Sequence, residues 1–157
     1  MNRTSTLKRL QNEINKLKTG MHEYEHMFEI DMVDDNMYHW RAILYGPEDS
    51  LYEGCKFELD VILPDNYPFF PIKVKFITPI QHINVNANGD ICLDILKDQW
   101  TSSQTITTVM ISIRLLLSTP NTNDAFNSEL AEIYRTNKKM YTNLIKKTCK
   151  CITHGKK

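Results

Sequence analysis

Tyr38-His39-Trp40-Arg41-Ala42-Ile43-Leu44-Tyr45, closed by Gly46-Pro47-Glu48-Asp49, is the stretch that decides the fold. Aromatic and β-branched residues crowd it, as on a pleated, half-buried strand, and the Gly-Pro-Glu-Asp run after it is a turn signal. Stretches of the same kind lie on both sides: Glu25 to Met32 before it, then Lys56 to Leu63 and Lys73 to Ile77 after it. Asp34-Asp35-Asn36 and Pro64-Asp65-Asn66-Tyr67-Pro68 supply the other turns. Connections this short join neighbouring strands antiparallel, so a four-stranded antiparallel meander is expected.

Helices flank the meander. Leu7, Leu10, Ile14 and Leu17 recur at helical spacing and predict an amphipathic helix over 5–19 that Gly20 ends. Ile106, Val109, Met110, Ile113, Leu116 and Leu117 mark a strongly apolar central helix with Thr105 as its N-cap. Asn127 caps a third helix over 128–136, and Lys138 to Cys151 reads as a fourth. Between the last strand and the central helix lies a long polar segment, 78–104, and long irregular segments inside compact domains are usually functional. One helix, four strands, a long loop and then helices make an α+β domain with helices on one face of the sheet.

With 157 residues, 41% of them hydrophobic, one domain spanning 1–157 is expected, its core over about 4–150 and a short basic tail over 151–157. The best apolar run, Val109 to Leu117, is interrupted by Arg114 and falls well short of the roughly 20 residues that span a bilayer. No membrane association is therefore expected. The start, Met1-Asn2-Arg3-Thr4-Ser5-Thr6, has no apolar stretch of the signal-peptide type. A reducing, cytoplasmic or nuclear location follows as an expectation, and Cys55, Cys92, Cys149 and Cys151 are expected to be thiols rather than a disulfide framework. Cys55 reads as a small core residue of a strand.

The net charge of zero hides an uneven spread: residues 1–20 and 135–157 are basic and the centre is acidic. The basic first helix suits an acidic protein partner, and the tail suits a solvated helix face. No basic cluster is interleaved with aromatics, which argues against nucleic-acid binding.

The chemistry centres on Cys92, in Asn88-Gly89-Asp90-Ile91-Cys92-Leu93-Asp94-Ile95-Leu96. Asn88-Gly89 is a tight-turn signal that puts the cysteine at the edge of a small flap. Cysteine hydrolases activate their thiol with a cation, a paired histidine or a helix N-terminus. Here the neighbours two residues away on either side are Asp90 and Asp94, which oppose a further negative charge. Such a thiol suits the exchange of an acyl group that is already activated, and so a covalent carrier rather than a hydrolase or redox enzyme.

These residues, together with Trp40, Gly46-Pro47, Tyr52-x-Gly54, Tyr67-Pro68-Phe69-x-Pro71, His82-x-Asn84, Gln99-Trp100 and Pro120-Asn121, occur in an order that resembles the ubiquitin-conjugating enzymes over about residues 4–150. The likeness is nearest to the small, single-domain, broad-range members. It implies that the chain accepts ubiquitin from an activating enzyme as a thioester on Cys92. The ubiquitin then passes to a substrate lysine or a ligase cysteine. The resemblance also implies that Asn84 hydrogen-bonds the developing oxyanion, that Asp124 orients or helps deprotonate the incoming lysine, and that His82 supports the loop. Lys8, Arg9 and Phe69, with Ser102 in the second ligase loop, are implied to contact the activating enzyme and ligases of the RING or HECT type. No cofactor or metal is expected on this chain, since ATP and magnesium serve the activating enzyme. A monomer is expected.

Three departures qualify the resemblance. The family proline before Asn84 is Ile83, which removes a rigid φ from the loop. Thr101-Ser102-Ser103 replaces Ser-Pro-Ala after the tryptophan and bears on ligase range. Glu29 stands where relatives carry a small residue on the outer sheet face, so weak or absent non-covalent ubiquitin binding there is expected. Competing readings are a carrier of another ubiquitin-like modifier and a non-catalytic scaffold, which would lack Cys92. Cys149-x-Cys151-x-x-His154 offers three ligands and no fourth, a weak zinc pattern better read as an ordinary helix end.

Overall fold

The computed structural model describes residues 3–154, without the side chains of residues 3, 21, 22 and 150–154. Helix α1 (Arg3–Tyr24) leads into strands β1 (Phe28–Val33), β2 (Asn36–Tyr45), β3 (Lys56–Ile62) and β4 (Lys73–Phe76). They form one antiparallel sheet in the order β1-β2-β3-β4, the expected meander. After the long segment come α2 (Ile106–Ser118), α3 (Ser128–Thr136) and α4 (Lys138–His154).

Alternation builds the sheet. Along β3 the burial runs exposed, buried, intermediate, buried, so Phe57, Leu59 and Val61 face the core while Glu58 and Asp60 face outward. In register with them, Trp40, Ala42 and Leu44 of β2 and Phe28 and Ile30 of β1 share the inner face. That face meets Leu10, Ile14 and Leu17 of α1 and Ile106, Met110 and Ile113 of α2 in one apolar cluster. Each fully buried Leu, Ile or Phe contributes about 2 kcal/mol from burial alone. The β1–β2 link is a two-residue turn with Asp34 and Asp35 at φ 53° and 57°, whose twist matches that of the flanking strands.

Gly20 does not end α1, which runs on to Tyr24. A glycine inside a helix costs about 1 kcal/mol relative to alanine. The extra turn brings Tyr24 onto Phe28, rings stacked at 5.9 Å, a contact worth about 0.5–1.5 kcal/mol that offsets this cost. Helix α4 likewise continues past Cys151 to His154, and the remainder of the expected tail, residues 155–157, lies outside the described residues. Both expected caps are present. Thr105 accepts from the Thr108 N–H while Thr108 accepts from the Thr105 N–H, and Asn127 accepts from the Leu130 N–H.

The expectation of separate thiols is corrected at one pair. Cys55 and Cys149 are joined as a disulfide, their Cα atoms 5.6 Å apart across 94 residues of sequence. Both are buried, and α4 lies over the segment that enters β3, with Cys149 Sγ also 3.8 Å from the Leu51 carbonyl. Spacing along the chain gives no sign of that meeting. Cys55 itself precedes β3 rather than lying within it.

A carboxylate ties three parts of this frame together. Glu13 of α1 is buried and accepts from the Tyr67 hydroxyl, from Arg9 Nε at 2.9 Å and from the Ile106 N–H at 2.9 Å. The last bond satisfies an otherwise unpaired amide at the start of α2.

Candidate functional site

The long segment is ordered by hydrogen bonds to backbone. His82 is fully buried; its Nε2 lies 2.9 Å from the Leu116 carbonyl and its Nδ1 accepts from the Asn84 N–H at 3.0 Å. That pattern assigns the proton to Nε2 in a neutral ring. Burial pushes the imidazole pKa down to about 4, with the Leu116 bond opposing in part. His82 is a strut for the loop and has no face open to a substrate.

Asn84 is equally buried. Its Nδ2 donates to the carbonyls of Asn121 at 2.7 Å and Asp124 at 2.9 Å, and its Oδ1 accepts from the Asn121 N–H at 2.8 Å. Both amide hydrogens therefore end on backbone, so an oxyanion could be reached only by releasing one of them. Ile83, where the family proline would stand, is wholly buried, and its carbonyl accepts from the N–H groups of Phe126 at 2.9 Å and Asn127 at 3.0 Å. Its burial contributes about 2 kcal/mol, more than the about 0.4–1 kcal/mol a proline supplies by restricting the unfolded chain. The loop is held by these contacts instead.

The flap follows. Val85 pairs with Ile91 across a turn in which Asn86 Oδ1 accepts from the N–H groups of Asn88 and Asp90. Gly89 has φ +88°, and a Cβ there would lie on the Phe76 carbonyl oxygen, so glycine is required on both counts. Its own carbonyl accepts from the Phe76 N–H at 2.9 Å, which zips the flap to β4.

Cys92 sits where this flap ends, partly exposed, with its N–H donating to the Asn84 carbonyl at 2.8 Å. A 3₁₀ turn, Asp94–Leu96, carries the chain around to Lys97, whose Nζ lies 3.2 Å from Cys92 Sγ. The same ammonium stands over the Phe126 ring, 5.1 Å from its centroid. Sequence neighbours showed only Asp90 and Asp94. The cation became visible once the turn was formed, and Asp90 is engaged by Asn86 Nδ2 at 3.1 Å. Asp124 is exposed on the turn Thr122–Asp124, two hydrogen-bonded steps from Cys92 through Asn84. A nearby groove of about 340 Å³, lined by Ile91, Leu96 and Lys97 among others, runs between the flap and β4, and Cys92 does not line it.

The expected partner residues divide. Lys8 is exposed, and so are Phe69, at 56%, and Phe70, at 57%, a second ring that the sequence motif did not single out. Arg9 instead turns inward. Its guanidinium bonds Glu13 and the carbonyls of Ser102 at 2.8 Å and Gln104 at 2.7 Å, and stacks over Tyr67. Ser102 is exposed but lends its carbonyl to that anchor. Trp100 joins the two loops through a 2.8 Å bond from Nε1 to the Pro68 carbonyl. Among the described residues, no three His, Cys, Asp or Glu gather as metal ligands; the side chains of Cys151 and His154 lie outside them.

Comparison with known proteins gives a consistent picture. The family model described as ubiquitin-conjugating enzyme matches residues 9–149. A curated protein of Acanthamoeba polyphaga mimivirus, named "Probable ubiquitin-conjugating enzyme", is 49% identical over 154 residues, covering 98% of this chain and 96% of its own. The structure resembles the ubiquitin conjugating enzyme domain of a Toxoplasma gondii protein with a TM-score of 0.83 at 32% identity, covering 93% of this chain and 97% of that one. It also resembles a candidate ubiquitin conjugating enzyme from Plasmodium yoelii, with a TM-score of 0.84 at 36% identity and coverage of 93% and 94%.

Proposed function

The chain belongs to the ubiquitin-conjugating enzymes, and from that premise we propose that Cys92 is the sulfur on which it carries ubiquitin. Enzymes of this family accept ubiquitin from an activating enzyme as a thioester and transfer it onward. The observation that carries the assignment is that Cys92 is the free thiol among the cysteines whose side chains are described, partly exposed at the end of the flap. In charging, the Cys92 thiolate attacks the carbonyl carbon of the activating enzyme's thioester, and the other thiol leaves. In discharge, a neutral lysine amine attacks the new thioester and the Cys92 sulfur departs.

Asp124, an exposed carboxylate on the turn whose backbone Asn84 holds, is suited to orient that lysine and accept its proton. Asn84 serves chiefly by fixing the 121–124 turn that presents Asp124. Lys8, Phe69 and Phe70 offer the surface for the activating enzyme and for RING or HECT ligases, with Arg9 and Ser102 holding it in shape. No cofactor of its own is needed, as ATP and magnesium act at the activating enzyme. Work as a monomer in the cytoplasm or nucleus completes the proposal, with the Cys55–Cys149 link buried away from the reductants of those compartments.

The test is incubation with ubiquitin, its activating enzyme, ATP and magnesium. A band released by reductant is expected, replaced by a reductant-stable oxyester with Cys92→Ser. A releasable band that survives that substitution would move the acceptor elsewhere.

A further inference from the structure

The carrier reaction makes no use of the C-terminal stretch 135–157, which holds lysine and arginine but no acidic residue. Helix α4 gives that charge a direction. Tyr141, Ile145 and Cys149 are buried on its inner face, while Lys139, Met140, Asn143 and Lys147 are exposed. Lys139, Asn143 and Lys147 recur four residues apart and so form a rim along the helix, beside an apolar floor of Met140, 47% exposed, and half-buried Leu144. With Asn137 these residues line a groove of about 340 Å³, and no acidic side chain of the described residues is among its walls. Of the acids on α3, Glu132 is taken by Arg135 at 3.1 Å and Glu129 lines a different groove, beside Asn86 of the flap.

We propose that this groove docks an acidic peptide segment of a partner protein, extended along α4, with one large apolar side chain over Met140 and Leu144 and a carboxylate on either side of it. Charge selects the occupant. Residues 155–157, Gly-Lys-Lys, bring more lysine and no apolar side chain, so they do not complement the groove. A flat anionic bilayer meets the lysines but leaves the concave floor unfilled. Spacing then defines the segment. Lys139 and Lys147 are about 12 Å apart along the axis at the helical rise. An extended peptide advances about 3.3 Å per residue and turns alternate side chains to the same side, so residues two before and two after the apolar anchor lie about 13 Å apart and face the groove with it. The segment therefore reads acid-x-apolar-x-acid. Asn143, midway between the two lysines, presents an exposed amide that can both give and accept a hydrogen bond with the peptide backbone.

The experiment titrates the synthetic peptide Gly-Glu-Ser-Leu-Ser-Glu-Gly into the full chain and follows the backbone amide NMR shifts. Saturable shifts centred on residues 137–147 are expected. Exchanging both glutamates of the peptide for glutamine should weaken binding roughly tenfold, and so should Lys139→Gln combined with Lys147→Gln in the chain. The peptide exchange leaves the protein untouched, so it decides the matter even if the double variant folds poorly. Exchanging the peptide's leucine for serine should abolish saturation. Absence of saturation with the parent peptide, shifts centred elsewhere, or binding indifferent to the glutamate exchange would overturn the proposal. So would phosphatidylserine vesicles shifting 137–147 where the peptide does not, or a dimer of the chain that buries α4. None of these outcomes bears on Cys92 as carrier, since the groove shares no residue with the flap.

Discussion

Asn84 makes three hydrogen bonds from one side chain, all to the backbone of residues 121–124. Removing a buried partner strands the groups left behind, at about 1–3 kcal/mol. Asn84→Ala is therefore expected to lower the melting temperature by roughly 5 °C and slow discharge to free lysine together. A tenfold slower discharge at an unchanged melting temperature would instead give the amide a direct part in the chemistry. His82 leads to a pH prediction. Its folded pKa of about 4 lies below the ordinary 6.5, so the unfolded chain binds the extra proton and stability is complete above pH 6.5. Between pH 6.5 and 4 about 3 kcal/mol should be lost. Urea midpoints of the parent against His82→Gln measure it, and equal slopes with pH would contradict it. Cys92 and His82-x-Asn84 were legible as a motif, but where each polar atom points was not. Lys97 was missed because its approach to the sulfur depends on the turn at 94–96.

Elements were read most securely where side-chain chemistry is local. Thr105 and Asn127 each bond an amide three residues on, so their caps could be read from sequence alone. Gly20 misled because a glycine's cost of about 1 kcal/mol is small enough to be offset by a contact with the next element, such as the Tyr24–Phe28 stack. On the sheet's outer face, Glu29 is exposed opposite Ile43, and its carboxylate accepts from the Tyr45 hydroxyl at 2.6 Å. A partner docking there must displace or cover that pair. Titration with uncharged ubiquitin is expected to show weaker binding to the parent than to Glu29→Ser, by at least threefold. Identical isotherms would remove Glu29 from the account.

For the whole molecule, the α+β arrangement follows from alternation and turn chemistry, which are written along the chain. The Cys55–Cys149 link is not, since it depends on how α4 returns across the sheet's entry. Closing so long a loop is worth up to about 5 kcal/mol. Oxidised protein should melt roughly 10 °C above reduced protein, with no difference in Cys149→Ser; an insensitive parent would show that the two sulfurs add nothing as a bond. Backbone groups, rather than surface side chains, do most of the fastening around Cys92: the carbonyls of Ile83, Asn84 and Gly89 and the amides of Phe76, Cys92, Phe126 and Asn127. Every residue type but proline carries both of those groups. A ledge fastened in that way tolerates turnover of its visible residues, so partner preference can drift over generations while the reactive sulfur keeps its station.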